Sequence, residues 1–297
     1  MTIAAEFHPS AVRAQNELDS PALRSLVSEI GIPSRPQILK DLRKELKKED
    51  PRLPVLAGIV GTDVALSASL MRAANSALFG LTRKAETIEQ AFLLMGYSNC
   101  QALFTEILLK RLLPPDNPAL ARFWDVQARR AQAMIYLART RRFVPVSLAH
   151  TFGLFMDVGI PLLARKFPGP DGYMATVARA NQSLEPFTAV ERATHRYDHT
   201  VVGALAAKSW GVSQTAVLAV RLHHEYFAWQ GPLPPQVGEL MALALVCEHV
   251  VQRYEDVNRH LEWNKAGPAA LRMLGIDERE LFDWVDEVHH HFDANPY

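Results

Sequence analysis

Asp157, His199, His223, His224 and Glu248 carry the side chains of this chain that could hold a divalent cation, and they fall in four short runs. These are Met156-Asp157, Asp198-His199, His223-His224-Glu225 and, further on, Glu248. Carboxylate oxygens and imidazole nitrogens are the ligands such ions take, and a catalytic site needs about three protein ligands with a position left for water. Each residue also has an ordinary structural use. Asp157 can pair with a basic side chain or satisfy helix amides, and His199, ahead of Val201-Val202-Gly203-Ala204, can be a hydrogen-bonded core imidazole. His223 and His224 are adjacent, about 100° apart around a helix, so one is expected inward and the other at the rim. Other chemistry is thin. Cys100 near a helix start has no histidine close in sequence, and GxxxxGK(S/T) and GxGxxG phosphate loops are absent. His289-His290-His291 could hold only an adventitious metal.

Helices must position these groups. Apolar residues recur at three- and four-residue spacing, with no alternating runs closed by hairpin dipeptides. Thr62-Asp63 caps the run from Val64 to Met71, which Gly80 is expected to stop. Thr87 caps Ile88 to Met95, closed by Gly96, and Ser98 reads as the cap of a helix to Leu113. Pro114-Pro115 and Asp116-Asn117-Pro118 form the best internal boundary. One helical bundle from Ser20 to Leu113 precedes it. A long helix from Ala119 to Arg142 opens a second bundle, with later helices from Glu239 to Tyr254 and from Asp277 to His291. The fold class is therefore all-α, two packed helical bundles.

The chain has 297 residues, 48% of them apolar, enough for a real core. Its net charge of zero argues against nucleic-acid partners, and two cysteines are too few for a disulfide framework. With no apolar leader at the N-terminus and no apolar run of ~18 residues, a cytoplasmic location without a membrane partner is expected. Charge is nonetheless uneven. The helix from 119 to 142 carries six arginines against Asp125, and residues 276–297 carry seven acids against Arg279. Two solvated faces attracting each other explain this, and an arginine-lined nucleotide face is the functional alternative.

Several segments together resemble the HDOD domain, a non-catalytic relative of the HD and HD-GYP phosphohydrolases. Gly31-Ile32-Pro33-Ser34-Arg35-Pro36 resembles its proline-bearing entry. Ile59 to Leu66 resembles I-x-x-D-P-x-L, with Val64 in place of proline. Leu70 to Gly80, containing Asn75-Ser76, resembles L-x-x-A-N-S-x-x-(F/Y)-G, and Ile88 to Gly96 resembles I-x-x-A-I-x-x-L-G. In the second half, Asp198-His199 to Gly203, Trp210-Gly211 and His223-His224 follow at the family's spacing. The resemblance implies an N-terminal extension (1–30), an HDOD domain (31–228, its HD-like bundle starting near 119), and C-terminal helices (229–297) packed on the HD-like bundle.

In active HD enzymes one helix supplies a histidine and another an adjacent His-Asp. By resemblance these positions fall at Val126 and Met156. A thioether does not replace imidazole as a ligand for such cations, so the degenerate site is Val126, Met156, Asp157, His199, His223, His224 and Glu248, with no metal, cofactor or catalytic residue expected. The Gly-Tyr-Pro element is also missing: Glu225 to Pro232 stands there. Asn75, Ser76 and Gly80 are signature residues, read mainly as a helix end that bonds a neighbouring loop. Tyr226, Phe227 and Trp229 are candidate partner contacts, or plugs that close the old cleft to small substrates. The implied function is a bacterial signalling scaffold acting through protein partners, near cyclic-dinucleotide, motility or stress control. The alternative is a residual metal-dependent phosphohydrolase acting on a nucleotide or cyclic dinucleotide.

Overall fold

Proline and glycine punctuation cuts the chain into short amphipathic helices, and a computed structural model describes them over residues 6–76, 83–115, 118–255 and 261–294. The first group is α1 (Pro9–Asp19), α2 (Pro21–Ile30), α3 (Gln37–Leu46), α4 (Leu53–Gly61), α5 (Val64–Ala74), α6 (Ile88–Met95) and α7 (Tyr97–Leu112). The second group is α8 (Pro118–Arg141), α9 (Val146–Phe155), α10 (Gly159–Lys166), α11 (Tyr173–Gln182), α12 (Phe187–Thr194), α13 (His199–Ser209) and α14 (Gln214–Leu222). A 3-10 turn (Tyr226–Gln230) then leads to α15 (Val237–Glu255), α16 (Glu262–Leu274) and α17 (Glu278–Ala294). No strand occurs among the described residues.

The caps read from sequence organise the first bundle. Asp63 accepts from the amides of Ala65 and Leu66, and Thr87 from that of Gln90. Gly96 ends α6 with φ +75°, a conformation that favours glycine. Ser98 is not a cap. α7 already starts at Tyr97, directly after Gly96, because the glycine turns the chain sharply enough to begin a new helix at once. α5 ends at Ala74; Gly80, expected to stop it, lies outside the described residues. Asn75 clamps Ala85 across the loop, donating to its carbonyl at 3.0 Å and accepting from its amide at 2.8 Å. Ser76 Oγ donates to the Ala73 carbonyl.

α3 to α7 make the first bundle, and α7 meets α9 of the second. α1 and α2 do not extend the first bundle, where Ser20 was expected to open it. They lie on α10, α13 and α14 of the second. Arg221 bonding Glu17 at 2.8 Å and Lys208 bonding Asp19 at 2.7 Å hold α1 there, and Lys166 Nζ donates to the Glu29 carbonyl of α2 at 2.8 Å. α8, α9, α13 and α15 supply much of the second core. α17 packs on α8 and α15, and Arg141 pairs with Glu287 at 2.7 Å, so the basic and acidic segments do meet within the fold. The stretch 146–166 is long and apolar enough to cross a membrane, but 72% of its most apolar 18-residue window is buried inside the protein, as in core helices.

Candidate functional site

Close helix crossings bring distant residues to one point. α9 ends at Phe155 and α10 begins at Gly159, so Met156 and Asp157 sit in the turn between them. Met156 is packed into the core. Asp157 points instead towards α8 and α13. The start of α13 rides directly over the start of α10: a Cβ on Gly159 would lie 2.1 Å from the His199 carbonyl oxygen. Asp198 caps α13 through the amides of Thr200 and Val201, which fixes His199 as its first residue.

Three atoms then face each other. His199 Nε2 and His223 Nε2 are 3.2 Å apart, and Asp157 Oδ1 lies 3.4 Å from the first and 3.3 Å from the second. The other nitrogen of each ring is already engaged. His199 Nδ1 is 2.8 Å from Glu191 Oε2, and His223 Nδ1 is 2.8 Å from the Val220 carbonyl. Each Nδ1 therefore carries the proton in the neutral ring, and both Nε2 lone pairs turn inward. Burial opposes charge on His199, but Glu191 and Asp157 outweigh it and push its pKa up to about 10. Burial and the neighbouring His224 push His223 down to about 4. One proton on His199 thus relieves the facing lone pairs.

A fixed cation completes the centre. Arg130 of α8, 2% exposed, bonds Asp157 Oδ2 through Nη2 at 2.5 Å and approaches Glu248 at 3.4 Å through Nη1. Burial alone would raise the Asp157 pKa, but Arg130 and the two histidines hold it well below the usual carboxylate range. Gln127, one turn earlier on α8, donates to the carbonyls of Gly153 and Leu154 and accepts from Arg130. Glu191 is fully buried and accepts from Tyr173 Oη and the His199 amide. On the far side, His224 Nδ1 and Tyr226 Oη both reach Glu262, at 2.9 and 2.6 Å. A cleft of about 340 Å³ opens beside these groups, walled by Phe123, Val126, Met174, Val177 and Phe187.

The structure gathers Asp157, His199, His223 and His224, and places Glu248 beside Arg130 and Val126 on the cleft wall. His223 is buried and His224, partly exposed, lines the cleft, yet because α14 ends at Leu222 their rings lie only 4.3 Å apart in one cluster. One expectation, the closure of the cleft by aromatic side chains, needs correction. The cleft is not closed by the aromatics. Tyr226 turns inward to Glu262, Trp229 packs at a tilt against Tyr226, and Phe227, 67% exposed, faces His8. Cys100 is a buried thiol, as its sequence context suggested, and burial pushes its pKa up to about 12. Arg130, Gln127, Glu191 and Glu262 escaped the sequence reading. Nothing in their spacing marks them, since each acts through a partner far along the chain.

The donor set fits a divalent cation. With metal–nitrogen distances near 2.0–2.1 Å, tetrahedral ligands lie about 3.3 Å from one another, close to the three separations among Asp157, His199 and His223. Two imidazoles held at Nδ1 by a carboxylate and a carbonyl are the arrangement that tunes metal-ligating histidines.

Comparison with known proteins bears on the fold. The chain is 22% identical over 194 residues to an uncharacterized protein of Treponema pallidum (strain Nichols), spanning 65% of this chain but 37% of that one. An HDOD domain protein with unknown function from Geobacter sulfurreducens superposes with a TM-score of 0.64 at 20% identity, covering 94% of this chain and 98% of that. A presumptive phosphohydrolase from Shewanella amazonensis SB2B gives 0.65 at 20% identity, over 92% and 95% of the two chains. A presumptive signal transduction protein from Marinobacter aquaeolei VT8 gives 0.65 at 19%, over 96% and 64%. The family model of the HDOD domain matches residues 32–226, and the chain belongs to the HDOD domain family.

Proposed function

We propose that this chain is a non-catalytic signalling module that works through protein contacts, in a bacterial pathway of the cyclic-dinucleotide, motility or stress-control kind. The observation that carries this reading is Arg130. Its guanidinium is buried against Asp157 and Glu248 on the helix whose Val126 replaces the histidine of active relatives. A permanent internal cation already balances the carboxylates that a pair of metal ions would balance, and Met156 removes a second ligand. Phe227, exposed on the 3-10 turn beside His8, is an apolar residue that a partner could cover. The test is turnover. Purified protein with Mn²⁺ or Mg²⁺ is expected to leave cyclic dinucleotides, nucleoside phosphates and p-nitrophenyl phosphate intact. Hydrolysis that survives repurification and disappears in Asp157→Ala would overturn the reading.

One observation favours a second reading, residual phosphohydrolase chemistry. Asp157, His199 and His223 have the mutual spacing of a single cation's ligands, with His224 close by. An ion held there would supply a Lewis acid to a phosphoryl oxygen. Arg130 would remain paired to Asp157, and His224 with Glu262 would face the cleft. Stoichiometric zinc or manganese after dialysis, lost in His199→Ala, would favour this reading. A metal-free protein unaffected by chelator would exclude it.

A further inference from the structure

A separate pocket lies where the two bundles meet, lined by residues of α7 and α9. About 200 Å³ in volume, it is lined by Arg35, Ser98, Thr105, Ser147, Thr151 and Ser213 among others, and none of its lining residues is acidic. Arg35 is 8% exposed, and its Nε is buried without a hydrogen-bond partner. Among the described residues no carboxylate pairs with it. Arg43 adds to the charge: a Cβ on Gly211 would meet Nη1 of Arg43 at 2.1 Å and Nη1 of Arg35 at 2.9 Å, so both guanidinium groups close on one glycine. Burial, and then Arg43, hold the Arg35 pKa below its ordinary value. A buried cation beside a like charge is costly unless something compensates it.

The helices around the pocket add to its positive character. Ser98 and Ser147 are the second residues of α7 and α9, and neither helix has a side-chain cap bond or an acid in its first turn. Ser213 caps α14, which also starts without an acid. Three helix starts therefore converge on the pocket, each with amides left to donate and the positive end of its dipole. Hydroxyls from several directions and a guanidinium match a tetrahedral oxyanion better than a planar or monatomic one. The volume is several times the ~30 Å³ share of a liquid water, so a small substituent also fits.

We propose that this inter-bundle pocket binds a phosphate group, either inorganic phosphate or the phosphomonoester of a small molecule. It is separate from the histidine cluster and does not depend on how that cluster is read. The test is thermal unfolding of the full chain in chloride buffer against inorganic phosphate or glycerol 3-phosphate at matched ionic strength. At a concentration tenfold above Kd, wild type is expected to gain about 2–5 °C. A larger gain with the ester assigns a phosphorylated small molecule, and an equal or smaller one assigns free phosphate. Arg35→Met is expected to lose the gain while keeping at least wild-type Tm in chloride, since it removes an uncompensated charge. Ser147→Asp places a carboxylate in the pocket and is expected to abolish the gain independently, which keeps the test decisive if Arg35→Met does not fold. Either a wild-type gain no larger than chloride produces, or a gain that persists in Ser147→Asp, would overturn the proposal.

Discussion

Arg130 shows how much of the centre a linear reading can miss. α8 carries Arg129 and Arg130 side by side, and nothing in their types says which one turns inward. Arg129 pairs with Glu255 at 2.8 Å near the surface, whereas Arg130 is buried against Asp157. Asp157 and the histidines were legible because carboxylate and imidazole are rare as buried groups without a job. Arg130 was not, because arginine on a helix is ordinarily a surface residue. Removing one partner of a buried pair leaves the other charge uncompensated and costs ~3–5 kcal/mol. Arg130→Met is therefore expected to lose about that much in urea unfolding, and Arg130→Met with Asp157→Asn to recover a good part of it. A loss under ~1 kcal/mol in the single variant would show that Asp157 finds its compensation elsewhere. Asn75 makes the complementary case. Its role as a loop clamp was readable, and Asn75→Ala, which strips Ala85 of both partners, is expected to cost ~1–3 kcal/mol.

At the scale of elements, caps were legible and crossings were not. Asp63 announced itself as the residue before an amphipathic run, and it does cap α5. It also bonds Arg111 of α7, an ion pair that no local pattern encodes. The hydrogen bond from Arg111, helped by the α5 amides, lowers the Asp63 pKa to about 2. A depressed folded-state pKa contributes stability that is present above the ordinary value of 3.8 and is lost as pH falls towards about 2. Asp63→Ala is expected to cost ~0.5–2 kcal/mol at pH 7, and the gap from wild type should shrink between pH 4 and pH 2. A gap constant with pH would mean that the charged carboxylate contributes nothing. The crossing of α10 and α13 depends on Gly159, which sequence alone shows only as a glycine in an apolar run. A methyl there meets the backbone of His199, which cannot rotate away. Gly159→Ala is expected to cost ~1–3 kcal/mol and to part Asp157 from His199, visible as a shift in the His199 imidazole resonances. Unshifted resonances would place the α13 start elsewhere.

Across the whole molecule, the end of α7 was legible because the consecutive prolines after Leu113 cannot continue a helix. How the two bundles are joined was not, because the joint is made by residues far apart in sequence. Trp210, 3% exposed at the end of α13, donates from Nε1 to the Pro33 carbonyl at 2.8 Å and packs edge-on against Phe155. It therefore fastens the segment entering the first bundle to the core of the second, next to the place where α7 meets α9. With α1 and α2 also seated on α10, α13 and α14, the chain crosses the boundary twice. The two bundles should consequently unfold as one cooperative unit despite their separate sequence signatures. Far-ultraviolet circular dichroism and tryptophan fluorescence are expected to give coincident transitions in wild type. Trp210→Phe loses only the bond to Pro33 and is expected to cost ~0.5–1.5 kcal/mol with coincidence kept. Trp210→Ala empties the joint and is expected to cost ~3–5 kcal/mol and to separate the two transitions, the first bundle melting earlier. If the transitions already differ in wild type, or stay together in Trp210→Ala, the coupling does not pass through this tryptophan.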